Sequence, residues 1–164
     1  MIITRRRIAL ALFDVVKGVT WVIPGDEDKP VEEQQRRGFV TSGRRVKLFS
    51  DVPAEFQPAV FQAEHDEGST QRTGLPYKGV FQATWIIYHV AGKEPESVPA
   101  DENNAILDAV FAAFAPKPTD EGFPSRNTLG GLVHHAWIEG EIFKDPGDLD
   151  EQGLLIIPVR ALVP

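Results

Sequence analysis

The chain has 164 residues, a formal net charge of −7 at pH 7 and no cysteine, which excludes disulfides, thiolate metal sites and cysteine nucleophiles. This length suits one domain that buries about two thirds of its unfolded surface, so we expect residues 1–164 to form a single domain. The longest apolar runs are far shorter than the ~20 residues of a membrane span, and no signal-peptide pattern follows the basic start, which predicts a soluble protein without a membrane partner.

The first predicted element is a helix over residues 4–17. Thr4 is a suitable N-cap, apolar residues recur at helical spacing, and Gly18 provides a C-terminal stop. The first turn contains three basic residues: Arg5, Arg6 and Arg7. The helix dipole disfavours cations there by about 0.3–1 kcal/mol each at an exposed site. The arginines are therefore either a solvated end or a contact for an acidic surface on a neighbouring subunit.

Residues 22–43 are predicted to form a long loop. The segment is rich in charged and turn-forming residues and poor in apolar ones, so it cannot bury enough surface to become ordered alone. Loops of this length in compact domains are usually functional or disordered. In an assembly protein, the loop would become ordered against a partner.

Three strands are predicted in the middle of the chain, over residues 44–49, 59–64 and 78–90. Alternation in the third strand places one set of side chains on the better core face: Phe81, Ala83, Trp85, Ile87 and His89. Between the second and third strands, the polar, turn-rich residues 66–76 predict an extended hairpin arm.

A second helix is predicted over residues 101–115, because acids and asparagines precede an apolar stripe and prolines follow it. That stripe consists of Ile106, Leu107, Val110, Phe111 and Phe114. Two further strands are predicted over residues 128–142 and 154–162, joined by an acidic Gly/Pro turn. Alternation in the first places several side chains on a face polar enough to meet water or another protein: His135, Trp137, Glu139, Glu141 and Phe143.

The order of elements is thus helix, three strands, helix and two strands. Strands joined by hairpins, with two helices that each bury one stripe, predict an α+β fold. In this fold, two helices pack on one face of a mainly antiparallel or mixed sheet, and long polar loops connect the elements.

Charge is distributed unevenly along the chain. Residues 1–50 carry ten Lys/Arg and six Asp/Glu, whereas residues 51–164 carry seven and eighteen. This asymmetry indicates a basic surface for nucleic acid, uneven solvation, or opposite charges on the two patches of a head-to-tail ring interface. The basic residues 44–47 could contact phosphates, although no regularly interleaved aromatics accompany them for stacking.

The histidines and acids of the C-terminal third are side chains that zinc or iron binds. Adjacent His134 and His135 would point to opposite faces of a strand, and Glu139 would lie roughly 13 Å from His135. A metal-dependent hydrolase would therefore need a third co-facial ligand. The sequence also lacks a Gly-x-Ser-x-Gly elbow, a phosphate-binding Gly-Lys-Ser/Thr loop and a His-Glu-x-x-His pair. We therefore predict no catalytic residue, cofactor or metal site.

Four motifs resemble, in their order along the chain, those of the tail-terminator (tail-completion) proteins of long-tailed bacteriophages and prophages. The resemblance spans residues 44–162. The motifs are Ser50-Asp51-Val52-Pro53, Gln57-Pro58-Ala59-Val60-Phe61-Gln62, Arg72-Thr73-Gly74-Leu75-Pro76 and Leu129-Gly130-Gly131-Leu132-Val133-His134-His135-Ala136-Trp137-Ile138-Glu139-Gly140-Glu141.

The resemblance implies a small α+β structural protein that closes into a ring, most often a hexamer, on the head-proximal end of the tail tube. There it would stop polymerisation of the major tail-tube protein and present a surface to the neck, or head–tail connector, protein. It would be assembled in the host cytoplasm and remain in the virion tail at the neck, with genomic DNA passing through its lumen without specific binding. A head–tail connector or neck ring protein is the alternative.

A cap must bind the last tube ring without presenting the same surface on its far side, so its two axial faces must differ. This requirement and the charge distribution indicate interface candidates in the first helix, the basic stripe, the arm and the acidic turn. They are Arg5, Arg6, Arg7, Arg44, Arg45, Lys47, Arg72, Thr73, Leu75, Asp148 and Asp150. The acidic turn would face either the DNA lumen or solvent.

Overall fold

The computed structural model describes residues 2–92, 96–116 and 126–164. Within them, two helices and a mixed, mainly antiparallel sheet confirm the predicted α+β class. The helices are α1 (Arg5–Lys17) and α2 (Pro99–Phe114). The strands are β1 (Thr20–Val22), β2 (Arg36–Gly38), β3 (Thr41–Gly43), β4 (Ala59–Glu64), β5 (Gly68–Thr70), β6 (Lys78–Val90), β7 (His135–Ile138), β8 (Phe143–Asp145) and β9 (Gln152–Val163).

The central sheet has the strand order β3-β4-β6-β9-β7. Its longest pair is β6 with β9, antiparallel from Gly79 opposite Val163 to Val90 opposite Gln152. Since β6 occupies one edge of β9, both β7 and β8 pair with the other edge. In the same way, β4 and β5 follow one another along the outer edge of β6. Strands β1 and β2 form a separate antiparallel hairpin.

Both helices pack on the same face of the central sheet, as predicted. The strands contribute buried side chains to this face: Phe81, Ala83, Trp85, Ile87, Leu155, Ile157, Val159 and Ala161. The helices contribute Ile8, Leu12, Val16, Ile106, Val110 and Phe114. The predicted core face of the long strand is therefore confirmed. The predicted stripe of the second helix is wrong at Phe111, which is 44% exposed, whereas Asn103 is buried.

The first helix begins and ends as its sequence predicts. The Thr4 hydroxyl accepts a hydrogen bond from the Arg7 backbone N–H at 3.3 Å, and Gly18 follows the last helical residue. This bond satisfies one of the backbone donors that an α-helix leaves free at its start.

The prediction of a long loop over residues 22–43 is wrong, because β2 and β3 lie within it and β1 pairs with β2. The hairpin is anchored by Trp21, which is buried and donates its Nε1–H to Glu102 Oε1 of α2 at 2.9 Å. Phe39 packs against the Trp21 ring, with centroids 5.2 Å apart. Local composition could not predict that this hairpin is ordered, because α2, about 80 residues further along the chain, supplies the surface that covers it.

The predicted strand over residues 44–49 is also wrong. The strand in this region is β3, which ends at Gly43 and pairs in parallel with β4, and residues Phe49–Asp51 form a 3-10 helix. Phe49 packs edge-on against Tyr88, at 5.2 Å between ring centroids. Phe49 packs on the face of the sheet opposite the helices. This tertiary contact favours the 3-10 helix over the extended conformation that the alternation predicts.

The predicted strand over residues 128–142 is confirmed only for β7, which ends at Ile138; residues 128–134 form no strand, and β8 begins at Phe143, beyond the predicted range. The interruption lies beside Pro158 of β9, whose carbonyl accepts a hydrogen bond from the Glu139 N–H at 3.3 Å. In an antiparallel strand, the N–H and C=O of one residue point to the same edge. Proline has no N–H, so Pro158 cannot donate a hydrogen bond at the edge of β9 with which β7 and β8 pair. Pairing is therefore interrupted at this residue.

Candidate interaction surfaces

The start of α1 is joined to the base of the arm by Arg5 and Glu67. Arg5 Nε lies 2.5 Å from Glu67 Oε2, and Arg5 Nη2 lies 2.8 Å from Glu67 Oε1. This forked hydrogen bond raises the pKa of the Arg5 guanidinium. The acidic partner expected on a neighbouring subunit is therefore, for Arg5, a residue of the same chain. Arg6 and Arg7 are exposed, and Arg7 Nη1 donates to the Ile2 carbonyl at 3.2 Å.

The arm predicted over residues 66–76 is an ordered hairpin. Strand β5 pairs with the start of β6, and the Leu75 N–H donates to the Arg72 carbonyl at 2.9 Å to close the turn. Three candidate residues share this turn and are exposed: Arg72, Thr73 and Leu75. The ion pair between Arg5 and Glu67 places them at the same end of the molecule as the start of α1.

The basic stripe forms a loop that follows edge strand β3. Arg44 is ion-paired with Glu64 of β4, so its charge is neutralised locally. The Tyr88 hydroxyl donates to the Lys47 carbonyl at 2.9 Å and holds the loop against the sheet, and burial raises the pKa of Tyr88. A groove of about 410 Å³ runs along the loop, lined by Arg45, Val46, Lys47, Leu48 and Asp51.

The acidic turn connects β8 to β9. The Asp150 carboxylate accepts a hydrogen bond from the Gln152 N–H at 3.1 Å, which orders the turn. Asp148 is exposed, and Leu149 is 100% exposed. Asp148 and Asp150 thus lie between β8 and β9, whereas Arg45 and Lys47 lie in the loop that follows β3.

The polar face predicted for the C-terminal third is present on β7. The His135 and Trp137 rings stack at 5.4 Å with an interplanar angle of 10°. Trp137 Nε1–H donates to Glu139 Oε2 at 2.6 Å, and Arg160 Nη1–H donates to the same oxygen at 3.4 Å. Glu139 thus accepts hydrogen bonds from an indole and a guanidinium, neither of which is a metal ligand.

The structure does not bring the four metal-ligand candidates together. His134 precedes β7, and Glu141 lies beyond its end, in the interruption between β7 and β8. In the described ranges, no group of three or more His, Asp or Glu side chains has an arrangement that could hold a metal ion. That neither histidine binds a functional metal stays a prediction, since only a metal analysis tests it.

Sequence reasoning missed a buried glutamine at the centre of the fold. Gln62 Oε1 accepts a hydrogen bond from Trp85 Nε1–H at 3.0 Å, and Gln62 Nε2–H donates to the Ala9 carbonyl of α1 at 2.8 Å. Gln62 is fully buried and therefore connects β4, β6 and α1 through polar contacts. The available signal was a glutamine directly after the apolar residues Ala59, Val60 and Phe61.

A second buried polar pair lies under the start of α2. His89 Nε2 contacts Asn103 Oδ1, and both side chains are buried. Among the described residues, His89 Nδ1 and Asn103 Nδ2 have no hydrogen-bond partner. Gly153 lies opposite His89 and leaves the space that its ring fills.

Comparison with known proteins adds no family. No protein-family model matches the sequence, and no curated protein matches it. In the part of the chain that the structure describes, no helix combines the length and apolar content needed to cross a bilayer.

Proposed function

We propose that this chain is the structural subunit of a ring that caps the head-proximal end of a phage tail tube. The ring ends polymerisation of the tube protein and provides the attachment surface for the neck. The observation that carries this proposal is the presence of two oppositely charged surfaces on different segments, the basic loop that follows β3 and the acidic turn between β8 and β9. A ring made by head-to-tail contacts requires two different patches on each subunit, and opposite charges favour their pairing.

The arm supplies a third surface, at the end of the sheet where α1 begins. Its tip carries Arg72 and the half-exposed Leu75, and Arg6 lies nearby with its side chain in solvent. If the two charged surfaces join subunits around the ring, this end is free to bind an axial partner. We assign the tail-tube protein to this end, because a cap must dock on the tube through a surface that its far side does not repeat.

Loss of the protein tests the proposal directly. We expect phage particles made without it to show overlong, headless tails, because nothing stops tube growth and nothing joins the tube to the neck. Electron microscopy of lysates, with complementation by the intact coding sequence, measures tail length and head attachment. Tails of normal length without heads would identify a head–tail connector instead. Tails of normal length joined to heads would contradict both functions.

Variants of the arm tip test its assignment to the tube. We expect Arg72→Glu with Leu75→Asp to abolish binding to purified tail tubes while leaving the melting temperature unchanged, because the turn contributes no buried side chain. The matched control is Glu32→Lys with Glu33→Lys, which changes the charge of two exposed residues in the β1–β2 hairpin. Tube binding by the arm variant at the wild-type level would show that the tube docks elsewhere.

A further inference from the structure

We propose that the groove along the basic loop receives the acidic β8–β9 turn of a second copy of this chain, with Leu149 as the apolar anchor. This inference rests on the ring proposed above and identifies the lateral contact between its subunits. It follows from the charges and the exposure of apolar side chains.

The groove combines positive charge with apolar surface. Arg45 and Lys47 form no ion pair with any residue that the structure describes, whereas Asp51 adds one negative charge to the lining. Val46 is 39% exposed and Leu48 is 69% exposed. A complementary partner must therefore bring both carboxylates and an aliphatic side chain.

The acidic turn supplies both. Leu149 is 100% exposed, the highest value among the exposed large hydrophobic residues of the described ranges. Asp148 and Asp150 flank it, and the hydrogen bond from Gln152 N–H to the Asp150 carboxylate fixes the backbone. A turn ordered before binding loses little conformational entropy when it docks, so the free subunit already presents the leucine between two carboxylates.

The occupant is a second copy, because the turn and the groove are complementary in charge and are not joined within the described part of one chain. The groove and the turn belong to different segments, since the Tyr88 hydroxyl of β6 holds the groove loop through the Lys47 carbonyl, whereas the turn lies between β8 and β9. In the described parts of the chain, neither Arg45 nor Lys47 pairs with Asp148 or Asp150. Two different patches on one subunit make a heterologous contact, which closes into a ring when the rotation permits.

Disulfide trapping tests the contact, since the chain has no native cysteine. We expect Leu48→Cys with Leu149→Cys to give, on mild oxidation, a ladder of covalent multimers that ends at one closed size. The control Leu75→Cys with Leu149→Cys pairs the turn with another exposed leucine, at the arm tip, and should give no ladder. No ladder from the first pair, or equal ladders from both, would overturn the inference.

Charge reversal tests the same contact without cross-links. We expect Asp148→Lys with Asp150→Asn, which keeps the oxygen that accepts from the Gln152 N–H, to abolish self-association, and Arg45→Glu with Lys47→Glu to do the same. An equimolar mixture of the two variants should assemble again with alternating subunits, because each turn then meets a groove of opposite charge. Native mass spectrometry reads the masses, and Glu32→Lys with Glu33→Lys is the control that should assemble normally.

The outcomes separate this inference from the proposed function. Wild-type rings on tube ends in electron micrographs, together with rings formed by both charge-reversal variants, would leave the capping function standing and reject this interface. If the protein forms neither rings nor a disulfide ladder, both the interface and the ring are rejected. Recovery of assembly only in the mixture is the result that the inference requires.

Discussion

The two faces of the central sheet differ in what covers them. On one face, α1 and α2 bury a continuous apolar layer that includes Trp85, which has no exposed surface. On the other face, the segment around Phe49 and Val52 covers only one corner, where Tyr88 lies. The rest of that face is half-buried and carries mixed chemistry, as in the contact of Trp137 with Glu139.

We expect the helix-covered face to determine stability and the other face to be available for contacts. Burial of apolar surface is the dominant favourable term in folding, so the helix-covered face should dominate the free energy of unfolding. A half-buried face with charged and aromatic side chains contributes less to folding and can bind another protein. Matched substitutions on the two faces measure how much each contributes to the free energy of unfolding.

The largest expected effect comes from the two tryptophans. We expect Trp85→Ala to reduce the free energy of unfolding by about 3–5 kcal/mol, because it leaves a cavity between the sheet and the helices. We expect Trp137→Ala to reduce it by about 1 kcal/mol or less, since this ring lies at the edge of the uncovered face. Urea denaturation measures both changes. Equal losses would show that the two faces contribute alike.

The next effect concerns Gly153, opposite His89. A Cβ at residue 153 would lie 2.2 Å from the His89 ring, so we expect Gly153→Ala to destabilise by about 3 kcal/mol through overpacking. Gly68→Ala is the matched control, because a Cβ at residue 68 would meet nothing within 4 Å. Thermal unfolding of both variants measures the difference. A Gly153→Ala variant as stable as the control would show that the His89 ring can move.

A smaller effect is expected from Gln62. Replacing it with leucine leaves the Trp85 indole N–H without its buried acceptor, which should destabilise by about 1–2 kcal/mol. The matched variant is Gln82→Leu on the uncovered face, where the glutamine side chain is half-buried and the change should be nearly neutral. Chemical denaturation provides the measurement, and a neutral Gln62→Leu would mean that water replaces the glutamine.

The smallest effect is the titration of Tyr88 in the covered corner of the second face. Burial raises its pKa above the ordinary value of about 10. Its contribution to stability is therefore complete below about pH 10 and is lost as the pH rises through the folded-state pKa. In Tyr77→Phe, Tyr88 is the remaining tyrosine, so absorbance of tyrosinate reports it alone. A midpoint at the ordinary value would indicate that the corner is open to water.

The elements with strong local signals could be predicted from the sequence. The helix that starts after Thr4, the strands β4 and β6 and the arm agree with the structure because capping, alternation and turn residues are local properties. The interface candidates of the arm and acidic turn are exposed, as an interface requires. Arg5 and Arg44 instead pair with Glu67 and Glu64 of the same chain, which no local pattern indicates.

The sequence by itself determined the α+β class, the two amphipathic helices and the uneven distribution of charge, because periodicity and composition act over a few neighbouring residues. Tertiary structure alone decided the order of the β1–β2 hairpin, the burial of Gln62 and the split between β7 and β8. Each depends on a partner distant in sequence: α2 over Trp21, Trp85 against Gln62, and Pro158 beside Glu139. Such contacts follow from which strands become neighbours, and that is a property of the whole chain.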